Sequence, residues 1–144
     1  MMRLQQLIRW LIVQLSQLNI PTPAITKSEA STEYRLAQRS EFFALNTYTT
    51  YQTQLRNGLT PLKLSQLELK YQKQIANAKW YLLRAALRGH AEAQYKLGLC
   101  YLKGDLGLDR NYAQAERWLK KATQQGHHPA QQALCQAYAE LAFS

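Results

Sequence analysis

The residues from Ala78 to Tyr138 repeat at an offset of 37. Tyr81 falls on Trp118, Leu82 on Leu119, Ala85 on Ala122, Gly89 on Gly126 and His90 on His127. Ala93 falls on Ala130, Gln94 on Gln131, Leu97 on Leu134 and Tyr101 on Tyr138. A period of this length leaves few folds open. Each unit is too small to bury its apolar face alone, so successive units must stack into a solenoid with one continuous core. With 4 prolines and 6 glycines in 144 residues, the punctuation suits helices joined by short turns, and the expected class is all-α.

The run Asn111-Tyr-Ala-Gln-Ala-Glu-Arg-Trp118-Leu-Lys-Lys-Ala122-Thr-Gln-Gln-Gly126 resembles the second helix of a Sel1-like repeat. Ala93, Leu97, Gly98, Tyr101 and Gly104 stand at the spacing of that family's first helix. The resemblance covers about residues 75–142. It implies a short α-solenoid of Sel1-like helix-turn-helix repeats, with additional N-terminal helices from the rest of the chain. It also implies a protein-protein interaction module or adaptor, a non-catalytic scaffold of the kind that many bacterial members supply to signalling, envelope or secretion machinery. A fold does not name its partner. Two departures stand out. Gly104-Asp-Leu-Gly107-Leu-Asp-Arg-Asn111 carries an extra spacer and an Asn cap where the family has Asp, and one unit earlier Gln74 holds the cap position with no glycine loop before it. Asn caps a helix as well as Asp does. The earlier unit has therefore lost its turn.

Three segments are expected: an amphipathic helix over 1–19, a proline-containing linker over 20–30 and a helical domain over 31–144, for about six helices in all. In the first, Leu4, Leu7, Ile8, Leu11, Ile12, Leu15 and Leu18 share an arc of about 140° at helical pitch. It is too short and polar to span a bilayer, and Arg9 within its apolar part argues against a secretory signal. Packing on the solenoid, lying on a membrane surface and docking to a partner remain open for it. Pro21 and Pro23 then break the helix.

A second helix is predicted from Ser31 or Thr32 to Asn57, with Tyr34, Ala37, Ala44, Leu45, Tyr48, Tyr51 and Leu55 on its inner face. The 3.6 period continues through Thr47-Tyr-Thr-Thr-Tyr51 and outranks the strand propensity of that run. Thr60-Pro61 starts a third helix with Thr as cap. Leu64, Leu67, Tyr71, Ile75, Ala78, Leu82 and Ala85 keep one phase to Leu87, so a single long helix is predicted. Its other side carries Lys63, Lys70, Lys73, Arg84 and Arg88 within about 80°, and Glu68 is the lone acid between Arg56 and Gly89. Further helices are expected near 91–103, 111–125 and 129–142.

Tyr95, Leu99 and Leu102 form an apolar stripe whose counterparts in the next unit are Gln132, Gln136 and Ala139. Because it does not repeat, it is expected to be covered by an N-terminal segment or a partner's helix. Together with the five basic residues of the long helix, these three are the candidate partner-binding residues. Cys100 and Cys135 lie 35 residues apart without metal spacing and read as small hydrophobes, although neighbouring first helices make a disulfide conceivable. His90, His127 and His128 follow helix-ending glycines, where they can meet the last carbonyls. No catalytic, metal or cofactor constellation is present in the sequence. The Sel1-like resemblance implies a protein partner. The net charge of +9 allows two other classes: an anionic membrane surface met through residues 1–18, and, less well supported, nucleic acid met through the basic stripe.

Overall fold

The computed structural model describes residues 27–58 and 60–143. The amphipathic segment 2–18 and the two prolines after it lie outside these residues. Five helices follow in order: α1 (Lys27–Arg56), α2 (Pro61–Leu87), α3 (Ala91–Lys103), α4 (Tyr112–Gln124) and α5 (His128–Ala142). There is no strand among the described residues. Each helix packs on its neighbour in sequence for α1/α2, α2/α3, α3/α4 and α4/α5, and α5 also returns to touch α3. This is the layered stacking of a solenoid.

α1 starts at Lys27, four residues ahead of the predicted Ser31. Ala30 is buried, Glu29 sits in the first turn where a carboxylate favours the helix dipole, and Arg88 Nη1 donates to Glu29 Oε2 at 2.8 Å. α2 runs unbroken past Gln74, as the lost turn predicts. Pro61 occupies its first turn, but the Thr60 hydroxyl makes no capping bond; the Thr60 carbonyl alone accepts from Lys63 and Leu64.

The α1/α2 seam is built from small residues. Ala30, Ala37 and Ala44 recur every seventh position on α1 and are all buried, opposite Ala78, Leu82 and Ala85 of α2. Seven-residue spacing keeps one face toward the partner along two long helices, and alanine lets the backbones approach closely. Ala37 and Ala44 of the predicted inner face lie at this seam, and Tyr34 packs against the core beside them. Leu45, Tyr48 and Leu55, expected inside, are exposed. The threonine-rich run is helical because its hydroxyls have local acceptors: Thr50 donates to the Asn46 carbonyl at 2.8 Å and Thr53 to that of Thr49 at 2.8 Å. Thr47 lies 2.9 Å from the Phe43 carbonyl and 2.8 Å from Gln74 Oε1, which ties the seam across.

The repeated units share one joint. Gly89 at φ +88° and Gly126 at φ +80° take the left-handed conformation that ends a helix, and the next N–H reaches back five residues, His90 to Ala85 at 3.0 Å and His127 to Ala122 at 3.2 Å. The imidazoles do not sit on those carbonyls, as the sequence suggested. They cap the following helix instead, His90 Nδ1 accepting from Ala93 N–H and His127 Nδ1 from Ala130 N–H, each at 3.2 Å. Each ring then lies against a tyrosine of the preceding first helix: His90 on Tyr34 at 4.7 Å and His127 on Tyr95 at 4.8 Å.

Leu82, Leu97 and Leu119 are the largest fully enclosed side chains, and Trp118 is nearly so. Gly98 makes the α3/α4 approach feasible, since a Cβ there would stand 2.7 Å from Leu119 Cγ. Gln94 is buried between helix ends; its Nε2 donates to the Ala86 carbonyl at 3.0 Å and its Oε1 accepts from Gln125 Nε2 at 2.7 Å.

Candidate functional site: the crook beneath a projecting arm

The shared His/Tyr stacking makes α1 the first helix of an incomplete unit, with Tyr34 where the next unit has Tyr95. From that common point α3 ends at Lys103, whereas α1 continues to Arg56. The α1/α2 hairpin therefore outruns the repeat by about 14 residues, about 20 Å of helix. It projects as an arm, and a crook lies where the arm leaves the body.

A groove of about 610 Å³ occupies this crook. The arm lines it with Phe42, Leu45 and Tyr48 of α1 and Tyr71 and Ile75 of α2; the body closes it with Lys96, Cys100, Asp105 and Leu106. Phe42 and Leu45 are each 61% exposed, unusual for two large apolar side chains on one helix face. The Tyr48 and Tyr71 rings meet at 5.6 Å, and a smaller recess continues past them along the arm between Tyr51, Glu68 and Gln72. Lys96 and Glu41 form an ion pair across the floor, joining α3 to α1. Leu106 holds φ +56° in the Gly104–Gly107 turn, a strained conformation for a leucine, and packs at the groove's edge. Burial, ahead of the charges of Glu41 and Asp105, pushes the Cys100 thiol up to about 11. That thiol is no nucleophile at neutral pH. The accessible lining is mixed, with Phe42, Leu45, Tyr48 and Tyr71 beside Gln38, Glu41, Lys96 and Asp105, suited to holding a segment with an apolar side and a polar edge. Among the described residues no group of three or more His, Cys, Asp and Glu could hold a metal, and no helix is long and apolar enough to cross a membrane.

The eight residues singled out from the sequence separate into three groups. Tyr95, Leu99 and Leu102 are half-buried and pack on the cluster of Leu119, Ala122, Ala130 and Ala133. Within the described residues their cover comes from α4 and α5 of the same chain. The stripe has no apolar counterpart because its partners on α5 are alanines, and Gln132, Gln136 and Ala139 form the outward, exposed face of the last described helix. Arg84 and Arg88 are tied into the fold: Arg84 Nη2 lies 2.7 Å from Glu33 Oε1, and Arg88 Nε lies 3.1 Å from Glu33 Oε2. Lys63, Lys70 and Lys73 are exposed and pair with no described carboxylate. Cys100 and Cys135 are both free, one buried and one exposed. Sequence reasoning missed Phe42 and the crook. The Ala30/Ala37/Ala44 heptad was the available signal, since it fixes the seam and leaves Phe42 and Leu45 outside.

These features define a helical repeat protein with an elongated first hairpin. The family described as Sel1 repeat matches residues 70–90 and 91–127, so these two stretches are Sel1-like repeats. The first match begins within α2, so the arm's outer half lies outside it. A stretch of 54 residues is 39% identical to DAP3-binding cell death enhancer 1 of Rattus norvegicus, covering 38% of this chain and 10% of that protein. The matched stretch is thus about a tenth of that relative. No solved structure matches.

Proposed function

We propose that this chain is a non-catalytic adaptor that holds an apolar segment of a partner protein in the crook between the α1/α2 arm and the body. The carrying observation is the groove itself, with Phe42 and Leu45 exposed above Tyr48, Tyr71 and Leu106. Recessed apolar surface with aromatic walls is where binding energy concentrates in protein interfaces. The Sel1 repeats support an interaction role, and so does a relative whose name records binding to another protein.

The test is recovery of partners by affinity pull-down with Leu45→Asp against the unaltered chain. Leu45 is exposed, so the melting temperature should stay within about 2 °C, while a charge in the groove should abolish recovery. Unchanged recovery with the variant would remove the crook as the binding site.

A further inference from the structure

A second surface lies on the outer face of α2, away from the crook. Leu62, Leu69, Trp80 and Leu87 are 69%, 70%, 51% and 65% exposed. At 100° per residue the four fall within about 20° of arc, so they form one straight ridge about 38 Å long. Beside it run Lys63, Lys70 and Lys73, all exposed. Trp80 is held rigid: the Arg84 guanidinium lies 4.4 Å above its ring, and Arg84 is itself fixed by Glu33. A tryptophan already ordered before binding loses little entropy on contact.

We propose that this face docks an acidic amphipathic helix of a partner protein, its apolar residues on the Leu62/Leu69/Trp80/Leu87 ridge and its carboxylates on Lys63, Lys70 and Lys73. Three observations select this occupant. The ridge is one side chain wide, with seven-residue steps between Leu62 and Leu69 and between Trp80 and Leu87, a narrow stripe that a single helix can cover; a helix lying on lipid presents an apolar face at least about 100° wide. The adjacent lysines lack carboxylate partners among the described residues and complement acids in the seam-flanking positions that set partner choice in helix pairs. A second copy of the chain would bring the same lysines against one another, which repels. Nucleic acid would call for several stacking aromatics among the charges, and the face offers Trp80 alone.

The experiment places a benzophenone photo-crosslinking side chain at Leu69 in the full chain, produced in its native cells, and maps the crosslinked peptides by mass spectrometry. The same probe at Leu45 reports on the crook independently, so failure of one surface is distinguishable from failure of the other. The expected product at Leu69 is a partner segment with apolar residues at helical spacing and acidic residues flanking them. The triple change Lys63→Glu, Lys70→Glu, Lys73→Glu should lower that yield about tenfold, as should high salt, while leaving the yield at Leu45 and the thermal melt unchanged. Crosslinks at Leu69 to lipid, to nucleic acid, to a second copy or to a segment without acidic flanks would overturn the proposal. So would the absence of any light-dependent product, or a yield that ignores the charge reversal.

Discussion

The α1/α2 and α3/α4 hairpins meet equivalent Gly-His joints and then solve the packing problem in opposite ways. The body hairpin encloses Leu97, Leu119 and Trp118 and turns through the eight residues 104–111, with Gly104 and Gly107 at positive φ. The α1/α2 hairpin encloses chiefly alanines and Thr47, with Leu82 near the joint as its one large buried apolar side chain, and leaves Phe42, Leu45, Leu55, Leu62 and Leu69 outside. Large side chains inside give stability per residue; small ones give close backbone approach and free the large ones for other contacts. The body is therefore where substitutions should cost folding, and the arm where they should cost recognition.

Trp118→Ala tests the body at its strongest point. Loss of this buried ring should cost about 3–5 kcal/mol in urea melts, enough to threaten folding of a small domain. A loss below about 1 kcal/mol would mean the body does not depend on its large side chains. Gly98→Ala comes next, at about 1–3 kcal/mol, because the new methyl collides with Leu119 and overpacks the α3/α4 approach. Leu99→Asp should cost a similar 1–3 kcal/mol, roughly, since α5 covers that side chain. The equivalent charge at Leu45 on the arm should cost almost nothing. Equal melting shifts for the two Asp variants would erase the distinction between the regions.

A smaller effect belongs to the joint. Burial, opposed by the charge of Glu92, lowers the His90 pKa below its ordinary 6.5. The folded chain then binds fewer protons than the unfolded one across that window, so the contribution is complete above pH 6.5 and declines as pH falls below it. His90→Asn keeps a capping oxygen and removes the titration. The difference in melting temperature between the two proteins should shift in the variant's favour on acidification, and a pH-independent difference would refute the neutral capping role. The smallest effect is chemical: at pH 8 Ellman's reagent should titrate Cys135 at once and Cys100 only on unfolding.

Helix order, the unbroken α2 and the repeat boundaries were legible because each rests on periodicity or on a glycine, signals carried by the residues themselves. The inner face of α1 was legible in Ala37 and Ala44, which are buried, but Leu45, Tyr48 and Leu55 were placed on it too and are exposed; in a close-packed pair the smallest residues mark the seam. The candidate site was legible only in part. Lys63, Lys70 and Lys73 stay exposed as their spacing implied, but Arg84 and Arg88 are spoken for by Glu33 and Glu29, acids about 50 residues away in the chain whose pairing no local pattern reveals. The cover over Tyr95, Leu99 and Leu102 was hidden for a related reason, since complementarity between a leucine stripe and an alanine stripe is not self-similarity.

The arm also has leverage. α1 is 30 residues long, about 45 Å; near one end the Glu29 and Glu33 pairs tie it to α2, and the Tyr34/His90 stack sets it against the joint with the body. Pivoting about 10° at the Gly89-His90 joint would carry the far tip through about 8 Å while atoms at the joint move by little. A displacement of that size would open or close the crook by a side-chain width, so a force applied at the tip is geared down into a small, strong change at the floor, where Lys96 and Glu41 hold the two parts together.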